Sequence, residues 1–503
     1  MAQNNAELDW VKQIPELDAL QAGALKRMFD LSSQLPDDWS GMMGQTTLQE
    51  DFGSLRFQLA YMAYALALTH VHRMPAAPAV FRQPFDNLIQ KILSPDCWLY
   101  WHYVSTGNGP FNSRQGELPA EWDPVARDNI MYSAYVQSMV LLYHYLFRDA
   151  KYADEGSLKF SINPLFWGAG GKHFTYDEHS LNDHLYWGMV ERGFLGIACE
   201  PNCVFQICNQ PPILGFRLHD LIYGGNTAEE VSQGYLRAWA DFGVTTPDGH
   251  FNMMIQEHER VVITPPDAPW VDFWLGALMH AWNPEFVEQY YPGQLTRWSV
   301  EGPDGTLVIP PEGPMAPDEP RVASARDFGW AAVCASEVGD SEGLERMLAY
   351  ADRFLNPVWQ DGAYFYPRND ELQDAEGRFT AMDPHTGNVL LGYARLNVPH
   401  GLRKLYEGPW DDRHFAEPAV VAISGRPDLR RAWFDSERNA LALTIGDGCG
   451  ATPVKLEIGN VEGRDLPRLI RDNEDAPISM HREGDRLVIQ LDRPVAQTMV
   501  LAW

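Results

Sequence analysis

Residues 131–146 read MYSAYVQSMVLLYHYL, and apolar side chains fall on almost every face of a helix wound from this stretch. A helix that is apolar all round must lie inside a protein, because a surface helix keeps a polar face toward water. Several other stretches of the chain have the same character. The sequence therefore predicts a mainly α-helical fold with helices buried in its interior.

Apolar residues recur at helical spacing from about residue 17 to about residue 406, in blocks that Gly, Pro and Asp clusters separate. The clearest blocks are residues 55–72, 129–147, 181–195, 228–242, 271–281, 323–338, 343–354 and 387–396. Many such helices with long loops between them suggest an α/α toroid, a six-hairpin barrel in which helical hairpins surround a central cavity. No fixed sequence repeat is evident, which disfavours a regular solenoid.

The pattern changes after about residue 410, where short strand-like runs replace the helical blocks. Turn residues such as Gly446-Asp447-Gly448 separate the runs. The runs are residues 440–445, 454–458, 486–491 and 498–503. We therefore expect a catalytic helical domain over residues 1–410 and a small β-sandwich domain with a structural, accessory role over residues 411–503.

The chain has 503 residues, of which 45% are hydrophobic and 12% aromatic, so it is long enough for one large core and a smaller one. Its formal net charge of −29 repels nucleic acid and anionic membrane surfaces, and we expect neither as a partner. Neutral or cationic small molecules are easier to accommodate. The simplest interpretation of the charge is a solvated surface that keeps the protein soluble.

No targeting signal is visible at the start of the sequence, where residues 1–15 read MAQNNAELDWVKQIP without an apolar segment. The longest apolar run, residues 59–68, is too short to span a bilayer. Six cysteines in a chain of this length do not make a disulfide framework. We therefore expect a soluble, cytoplasmic protein.

Residues 198–209, ACEPNCVFQICN, form a cysteine segment that holds three of the six cysteines together with a carboxylate and side-chain amides. A zinc site is a weak interpretation, because Pro201 disfavours a regular helix that would present Cys199 and Cys203 as ligands. A disulfide between Cys199 and Cys208 fits a loop but not a cytoplasmic setting. Thiols that act as acid and base are the third interpretation, since neighbours readily shift the pKa of a thiol. Buried cysteines without a chemical role remain the competing hypothesis.

The cysteine segment resembles that of the linalool dehydratase/isomerase family over Cys199-Glu-Pro-Asn-Cys-Val-Phe-Gln-Ile-Cys208-Asn209. The order of the motifs around it is also similar to the family's order. These motifs are Gln49-Glu-Asp51, Leu55-Arg-Phe-Gln-Leu-Ala60, Asp128-Asn-Ile-Met-Tyr-Ser133, Asp361-Gly362 with Tyr366-Pro-Arg368, Thr386-Gly-Asn388, and Trp410-Asp411 with His414-Phe415. Together they cover about residues 40–420 of the chain.

The resemblance implies an α/α toroid assembled as a ring-shaped homo-oligomer, with a mostly apolar active-site channel and an Asp supplied by the neighbouring subunit. It implies that water leaves a tertiary allylic alcohol, or that the hydroxyl moves along the allylic system, without a cofactor or a metal. By position, Asp51 corresponds to the bridging acid, Cys199 and Cys208 to the paired thiols, and Met131 to a pocket-wall residue.

Two positions depart from the family pattern. Tyr135 stands where the family has a histidine after Met-Tyr-Ser-Gly, and Phe57 stands where a tyrosine is expected six residues after the acid. Tyr135 can donate a hydrogen bond but is a poor base near neutral pH. We therefore expect the substrate to be a bulkier or differently oxygenated isoprenoid or polyketide.

These residues suggest a cofactor-independent dehydratase, isomerase or related cyclase that acts on a small apolar alcohol. Loss of water needs a proton on the leaving oxygen and a base for the proton beside the forming cation. In this hypothesis Asp51 protonates or orients the hydroxyl, Cys199 and Cys208 carry the second proton transfer, and Tyr135 donates a hydrogen bond. Aromatic faces would stabilise the allylic cation. The expected substrate-binding residues are Phe57, Met131, Tyr61, Phe205 and Glu200.

Two other functions remain open at this point. Many α/α toroids act on carbohydrates with paired carboxylates, for which Asp51, Glu200 and Asp361 are candidates. That hypothesis predicts a wide polar groove and leaves the cysteines unexplained. A noncatalytic binding protein would instead have Tyr135 and Phe57 as signs of a decayed site. An enclosed apolar cavity at a subunit interface would favour the dehydratase over both.

Overall fold

The computed structural model describes residues 8–44, 53–166, 168–310, 324–425, 428–446, 448, 453–473, 477–492 and 495–503. Asp51, the expected acid, lies outside these residues, so its role stays a prediction. None of the helices in the described part of the chain combines the length and the apolar character that a membrane span needs.

Helices dominate the chain as far as Phe415 and confirm the prediction of a mainly helical body. They are α1 (Ala19–Ser32), α2 (Leu55–His72), α3 (Pro78–Ile92), α4 (Pro95–Trp98), α5 (Tyr100–Val104), α6 (Ile130–Phe147), α7 (Glu178–Glu191), α8 (Pro211–Tyr223), α9 (Thr227–Ala240), α10 (Pro269–Met279), α11 (Pro284–Trp298), α12 (Arg326–Val338), α13 (Ser341–Phe354), α14 (Leu391–Leu396), α15 (Gly401–Glu407) and α16 (Asp412–Phe415). Short 3₁₀ turns lie at Asp9–Gln13, Ser113–Gln115, Ile207–Asn209 and Pro303–Gly305, and a π-helical turn lies at Thr386–Leu390.

Helix α6 contains the apolar stretch 131–146 and confirms its prediction as a buried helix. Every residue of α6 except His144 is buried. It packs most extensively on α8 and also contacts α2, α3 and α7. Left-handed residues flank it at both ends, Asn129 with φ 57° and Arg148 with φ 48°. Neighbours on several sides are what an apolar pattern around the whole helix requires.

Short antiparallel strands lie in the loops between the helices. They form a pair β1 (Leu158–Ile162) and β2 (Lys172–Tyr176), a three-stranded sheet β3 (Cys203–Phe205), β4 (Met254–Gln256) and β5 (Val261–Ile263), a pair β6 (Val300–Glu301) and β7 (Leu307–Val308), and a pair β8 (Val358–Gln360) and β9 (Ala363–Phe365). Strand β3 belongs to the cysteine segment and pairs with β4. A sheet therefore anchors this segment to the body.

The C-terminal strands form two four-stranded antiparallel sheets, which confirms the predicted change to β-structure. One sheet has the order β10-β13-β16-β15 and the other has the order β11-β12-β17-β14. The strands are β10 (Ala419–Ser424), β11 (Leu429–Asp435), β12 (Ala440–Ile445), β13 (Val454–Gly459), β14 (Arg468–Arg471), β15 (Ile478–Glu483), β16 (Arg486–Leu491) and β17 (Gln497–Ala502). Main-chain hydrogen bonds join them to the helical body, from Ala76 N to the Ala432 oxygen (3.1 Å) and from Val420 N to the Ala76 oxygen (2.8 Å).

Strand β12 is buried on both faces. Its Leu441 and Leu443 belong to the main hydrophobic core, whereas Ala440 and Ala442 pack against Leu8 and Val11 near the start of the chain. The small alanine side chains leave room for this close approach. The beginning of the chain therefore covers the outer face of a sheet formed near its end.

Candidate active site

The cysteine segment folds as a tight turn followed by β3 and the 3₁₀ turn at Ile207–Asn209. The amide of Cys199 donates to the carbonyl oxygen of Cys203, and the amide of Cys203 donates to that of Glu200, each over 2.9 Å. Asn202 adopts a left-handed conformation with φ 73°, which asparagine tolerates better than most residues. The turn rather than a helix positions the thiols, as the proline at position 201 predicts.

The start of α6 is tied to this segment. The amide of Asn129 donates to the carbonyl oxygen of Cys199 (2.9 Å), and the amide of Ile130 donates to that of Ala198 (3.3 Å). The first N–H groups of a helix have no partner within the helix, so an outside acceptor stabilises them. These bonds place the Cys199 backbone beside the first turn of α6, which carries Met131.

The side-chain amide of Asn209 holds the two ends of the segment together. It accepts a hydrogen bond from the amide of Ile197 (2.8 Å) and donates to the carbonyl oxygens of Ile197 (3.0 Å) and Phe205 (2.8 Å). Gly196, with φ 129°, lies against it, and a Cβ at this glycine would be only 2.7 Å from Asn209 Cγ. Asn209 is therefore part of the scaffold of the cysteine segment.

Cys199 and Cys208 are buried free thiols that lie close enough to influence one another. Burial raises the pKa of Cys208 well above its usual value, and the neighbouring Cys199 raises it further. Cys208 therefore keeps its proton near neutral pH. The structure thus pairs these two residues as thiols and not as a disulfide.

The third cysteine of the segment, Cys203, is set apart from this pair. It is buried in β3 and pairs there with Gln256. Burial, followed by the charge of Glu200, raises the pKa of its thiol. Within the residues that the structure describes, the segment does not bring three metal-ligating side chains together. The zinc interpretation therefore has no geometric support here.

Cys199 and Cys208 line a cavity of about 110 Å³, which we call the cysteine cavity. It brings together residues that the sequence singled out, namely Phe57, Met131, Cys199, Glu200, Phe205 and Cys208. Its other lining residues are Arg56, Ile207, Trp270 and Trp274. Residues from α2, α6, α10 and the cysteine segment therefore meet at one place.

Two opposite charges flank the thiol pair. The guanidinium of Arg56 is buried and lies over the rings of Phe57 (4.5 Å) and Tyr100 (4.1 Å). Its charge lowers the pKa of Cys208, whereas the charge of Glu200 raises it, and both effects are smaller than that of burial. The cavity thus contains polar groups at the thiols and apolar surface elsewhere.

Phe57, Trp270 and Trp274 form the aromatic wall of the cavity. Phe57 meets Trp274 edge to face, with ring centroids 5.4 Å apart, and Trp270 lies 6.2 Å from Trp274. Trp330 stacks on Trp274 from behind, at 4.4 Å and an interplanar angle of 10°. Such a wall presents the negative faces and positive edges of aromatic rings to whatever occupies the cavity.

Tyr61 and Tyr135 lie in a layer behind this wall and are not among the residues that line the cavity. The indole Nε1 of Trp274 donates to the hydroxyl of Tyr61 (2.6 Å), and the hydroxyl of Tyr135 donates to the same oxygen (3.3 Å). Burial raises the pKa of both phenols well above the usual value. The expected role of Tyr135 as a donor to substrate stays a prediction.

The motif Thr386-Gly-Asn388 begins a π-helical turn on the far side of the aromatic layer. The ring of His385, just before it, stacks on Phe57 at 6.0 Å and lies 5.7 Å from Tyr61. A Cβ on Gly387 would overlap the carbonyl oxygen of Tyr366, so only glycine fits there. Single π-helical turns are frequent at functional sites, and this one supports the cavity from behind.

Sequence reasoning missed Arg56, Trp270 and Trp274 as cavity residues. Arg56 belongs to the family-like motif Leu55-Arg-Phe-Gln-Leu-Ala60. The two tryptophans are four residues apart at the start of an apolar block, and this spacing places them on one face of a helix. Asp361, a candidate for the carbohydrate hypothesis, is exposed in the turn between β8 and β9 and does not line the cavity.

Comparison with solved structures gives several similar chains at low identity. An alpha-amylase from Clostridium perfringens is 11% identical with a TM-score of 0.42, over 75% of this chain and 98% of that chain. An unsaturated glucuronyl hydrolase specific for heparin is 10% identical with a TM-score of 0.43, over 77% and 97%. An alpha-1,6-mannanase variant of Salegentibacter is 12% identical with a TM-score of 0.42, over 77% and 100%. TM-scores below 0.5 do not establish a shared fold, and the toroid stays a prediction.

Comparison with protein families gives a match over most of the chain. The model of the family described as linalool dehydratase/isomerase matches residues 56–372. The matched range includes α2, α6, α10 and the whole cysteine segment, and so every residue that lines the cysteine cavity. The chain belongs to the linalool dehydratase/isomerase family.

Proposed function

We propose that this protein is a cofactor-independent dehydratase/isomerase that acts on an apolar hydroxylated terpenoid or polyketide in the cysteine cavity. The observation that carries the proposal is the pair of buried thiols, Cys199 and Cys208, in one cavity with an aromatic wall. Membership of the family supports an enzyme of this type.

The thiol pair is suited to take a proton from carbon. Cys208 keeps its own proton because of burial. Cys199, the other thiol of the pair, is therefore assigned as the base: its sulfur takes the proton beside the forming cation, and the electron pair of that C–H bond becomes the new double bond. For an isomerisation no C–H bond breaks: water adds to the other end of the allylic cation and gives its extra proton back to the Asp51 carboxylate.

The hydroxyl must leave as water, which needs one proton on oxygen. Asp51 is the proposed donor of this proton, supplied by the neighbouring subunit of a homo-oligomer. In an apolar setting a carboxyl holds its proton more strongly, because burial disfavours the charged form. The proton from Asp51 and the leaving hydroxyl together give water, while the proton from carbon goes to Cys199. That proton returns to Asp51 through solvent before the next turnover, so the reaction balances without a cofactor.

The aromatic wall stabilises the positive charge that develops between these two steps. Phe57, Trp270 and Trp274 line the cavity, and a cation over such a ring gains about 0.5–2 kcal/mol. The carbohydrate hypothesis expects instead a polar groove with two carboxylates. Glu200 is the one carboxylate among the described residues that line the cavity, so the dehydratase is favoured.

The first experiment incubates the purified protein, without added metal or nucleotide, with linalool, geraniol and larger terpenoid alcohols, and analyses the products by gas chromatography–mass spectrometry. We expect loss of water or allylic rearrangement that disappears in Cys199→Ala. Cys203→Ala is the matched control, because this cysteine is equally buried but lies outside the cavity. Equal turnover by Cys199→Ala and the control would contradict the proposed role of the thiol pair.

A mixing experiment tests whether Asp51 acts across a subunit interface. Asp51→Asn and Cys199→Ala should each be inactive alone, but co-expressed subunits should regain turnover, because some interfaces then combine an intact acid with an intact thiol pair. Co-expression of Cys199→Ala with Cys208→Ala should not restore activity, since both residues line the same cavity of one chain. Absence of rescue in the first mixture would place Asp51 in the same subunit as the thiols or outside the site.

A further inference from the structure

A second group of metal-ligating side chains lies away from the cysteine cavity. His280 follows the end of α10, Glu288 is on α11 and His400 immediately precedes α15. One ligand atom from each residue lies within 4.8 Å of the other two. We call this group the histidine cluster, and none of its members lines the cysteine cavity.

The geometry of the histidine cluster is close to that of a metal site. Nε2 of His280 hydrogen-bonds Oε1 of Glu288 over 3.1 Å. This separation is near the spacing of about 3.3 Å that two ligands have when each is about 2.0 Å from a tetrahedral ion. The rings of His280 and His400 face each other with centroids 5.3 Å apart and an interplanar angle of 20°. Small adjustments of the partly exposed Glu288 and His400 would close the group around one ion.

A main-chain carbonyl orients the ring of His400. Nδ1 of His400 hydrogen-bonds the carbonyl oxygen of Glu337 (3.2 Å), which fixes the ring and leaves Nε2 for an ion. Nδ1 of the fully buried His280 has no hydrogen-bond partner in the described structure.

One cation competes for the same carboxylate. Nη1 of Arg403 lies 3.6 Å from Oε1 of Glu288, but Nε of this arginine makes a closer contact of 2.9 Å with Glu407. Arg403 can therefore stay paired with Glu407 when Glu288 turns to an ion. Its charge nonetheless opposes a bound cation, so its removal should strengthen binding.

We propose that His280, Glu288 and His400 bind a divalent transition-metal ion such as Zn²⁺, with water in the remaining coordination position. Two imidazoles and one carboxylate are ligands that Zn²⁺ accepts, whereas Mg²⁺ and Ca²⁺ prefer oxygen alone. An ion held there would connect the end of α10, α11 and the start of α15, and so stabilise their packing. This proposal stands independently of the proposed function, because the two sites share no residue.

The test measures Zn²⁺ binding by titration calorimetry on the full-length, tag-free protein after treatment with a chelator. We expect one ion per chain in the wild type. His400→Ala and Glu288→Gln should each lose more Zn²⁺ affinity than the roughly 10–100-fold that is typical of a supporting group. Both residues are partly exposed, so these variants should fold. His481→Ala, on an exposed strand, is the matched control and should bind like the wild type.

Two further measurements separate this site from adventitious binding to thiols. Co²⁺ bound to nitrogen and oxygen lacks the strong near-ultraviolet absorption that thiolate ligands give, so its spectrum should show no sulfur band at the first equivalent. Arg403→Gln should bind Zn²⁺ several-fold more tightly than the wild type. Equal affinity in wild type and His400→Ala, or a sulfur band at the first equivalent, would overturn the proposal.

Discussion

In the cysteine cavity, the thiols Cys199 and Cys208 come from one short segment, whereas the aromatic wall combines Phe57 of α2 with Trp270 and Trp274 of α10. The thiol wall is therefore fixed by local turns and hydrogen bonds. The aromatic wall exists only when distant helices pack. Substitutions in the thiol wall should therefore change the chemistry, whereas substitutions in the aromatic wall should change the packing of the helices.

The largest effect is expected at the thiol wall. Cys199→Ala removes the proposed base and should lower kcat by about 10²–10⁴-fold, the usual contribution of a positioned acid or base. The fold should persist, because the carbonyl oxygen of Cys199 still accepts from Asn129 at the start of α6 and its amide still donates to Cys203. Turnover assays with circular dichroism would check both points. A drop of less than tenfold would mean that the thiol pair is not the base.

A substitution in the layer behind the aromatic wall should mainly lower the free energy of unfolding. Tyr61→Phe removes the hydroxyl that accepts from Trp274 and leaves that buried indole N–H without its acceptor. The free energy of unfolding should fall by about 1–3 kcal/mol, the cost of an unsatisfied buried polar group. Tyr135→Phe removes only a long hydrogen bond of 3.3 Å and should cost less. Urea unfolding curves that show equal losses for the two variants would contradict this account.

A smaller effect is expected on turnover when one tryptophan is replaced. Trp274→Phe keeps an aromatic face but loses the hydrogen bond that orients it, and it should lower kcat by about tenfold, or about 1.4 kcal/mol. Trp330→Phe is the matched control, because its buried indole N–H has no hydrogen-bond partner in the described structure and it does not line the cavity. If both variants lost activity equally, general loosening of the core would explain the effect.

The smallest expected effect is a change in the pH dependence of stability. Because the pKa of Cys208 is raised in the folded protein, this thiol keeps its proton while the unfolded chain loses it above about pH 9. The folded state then binds more protons than the unfolded state, so stability falls as pH rises through this range. Between pH 9 and pH 10 the wild type should lose about 1 kcal/mol more than Cys208→Ala, measured by urea unfolding. Identical slopes would show that burial does not protect this thiol.

The helices were predictable where apolar side chains surround them or repeat strongly. The expected block 129–147 is α6 at Ile130–Phe147, and the block 55–72 has the bounds of α2. Helices that contain proline were missed, such as α3 with Pro84 and α11 with Pro292. Proline removes a backbone donor and usually ends a helix, so only packing against the body shows that these helices continue.

Only part of the site was predictable, because some of its residues stand together in the sequence and others meet only through helix packing. Residues of the cysteine segment stand together in the sequence, and the family motifs around it named Phe57 and Met131. The position of Tyr61 behind the wall rather than in it depends on how α2 rotates against α10. A helix rotation of this kind is decided by side-chain packing, which no single segment encodes.

The helical body, the change to strands near residue 410 and the non-helical course of the cysteine segment at Pro201 could be read from the sequence, because each follows from short-range periodicity or turn chemistry. The pairing of Cys199 with Cys208 was implied only by the family resemblance. The aromatic wall and the histidine cluster were decided by the tertiary structure alone. His280 and His400 are 120 positions apart in the chain and meet only because α10, α11 and α15 converge. Contacts between distant segments depend on the burial of the whole core, and that cooperative free energy is not readable from any one stretch of sequence.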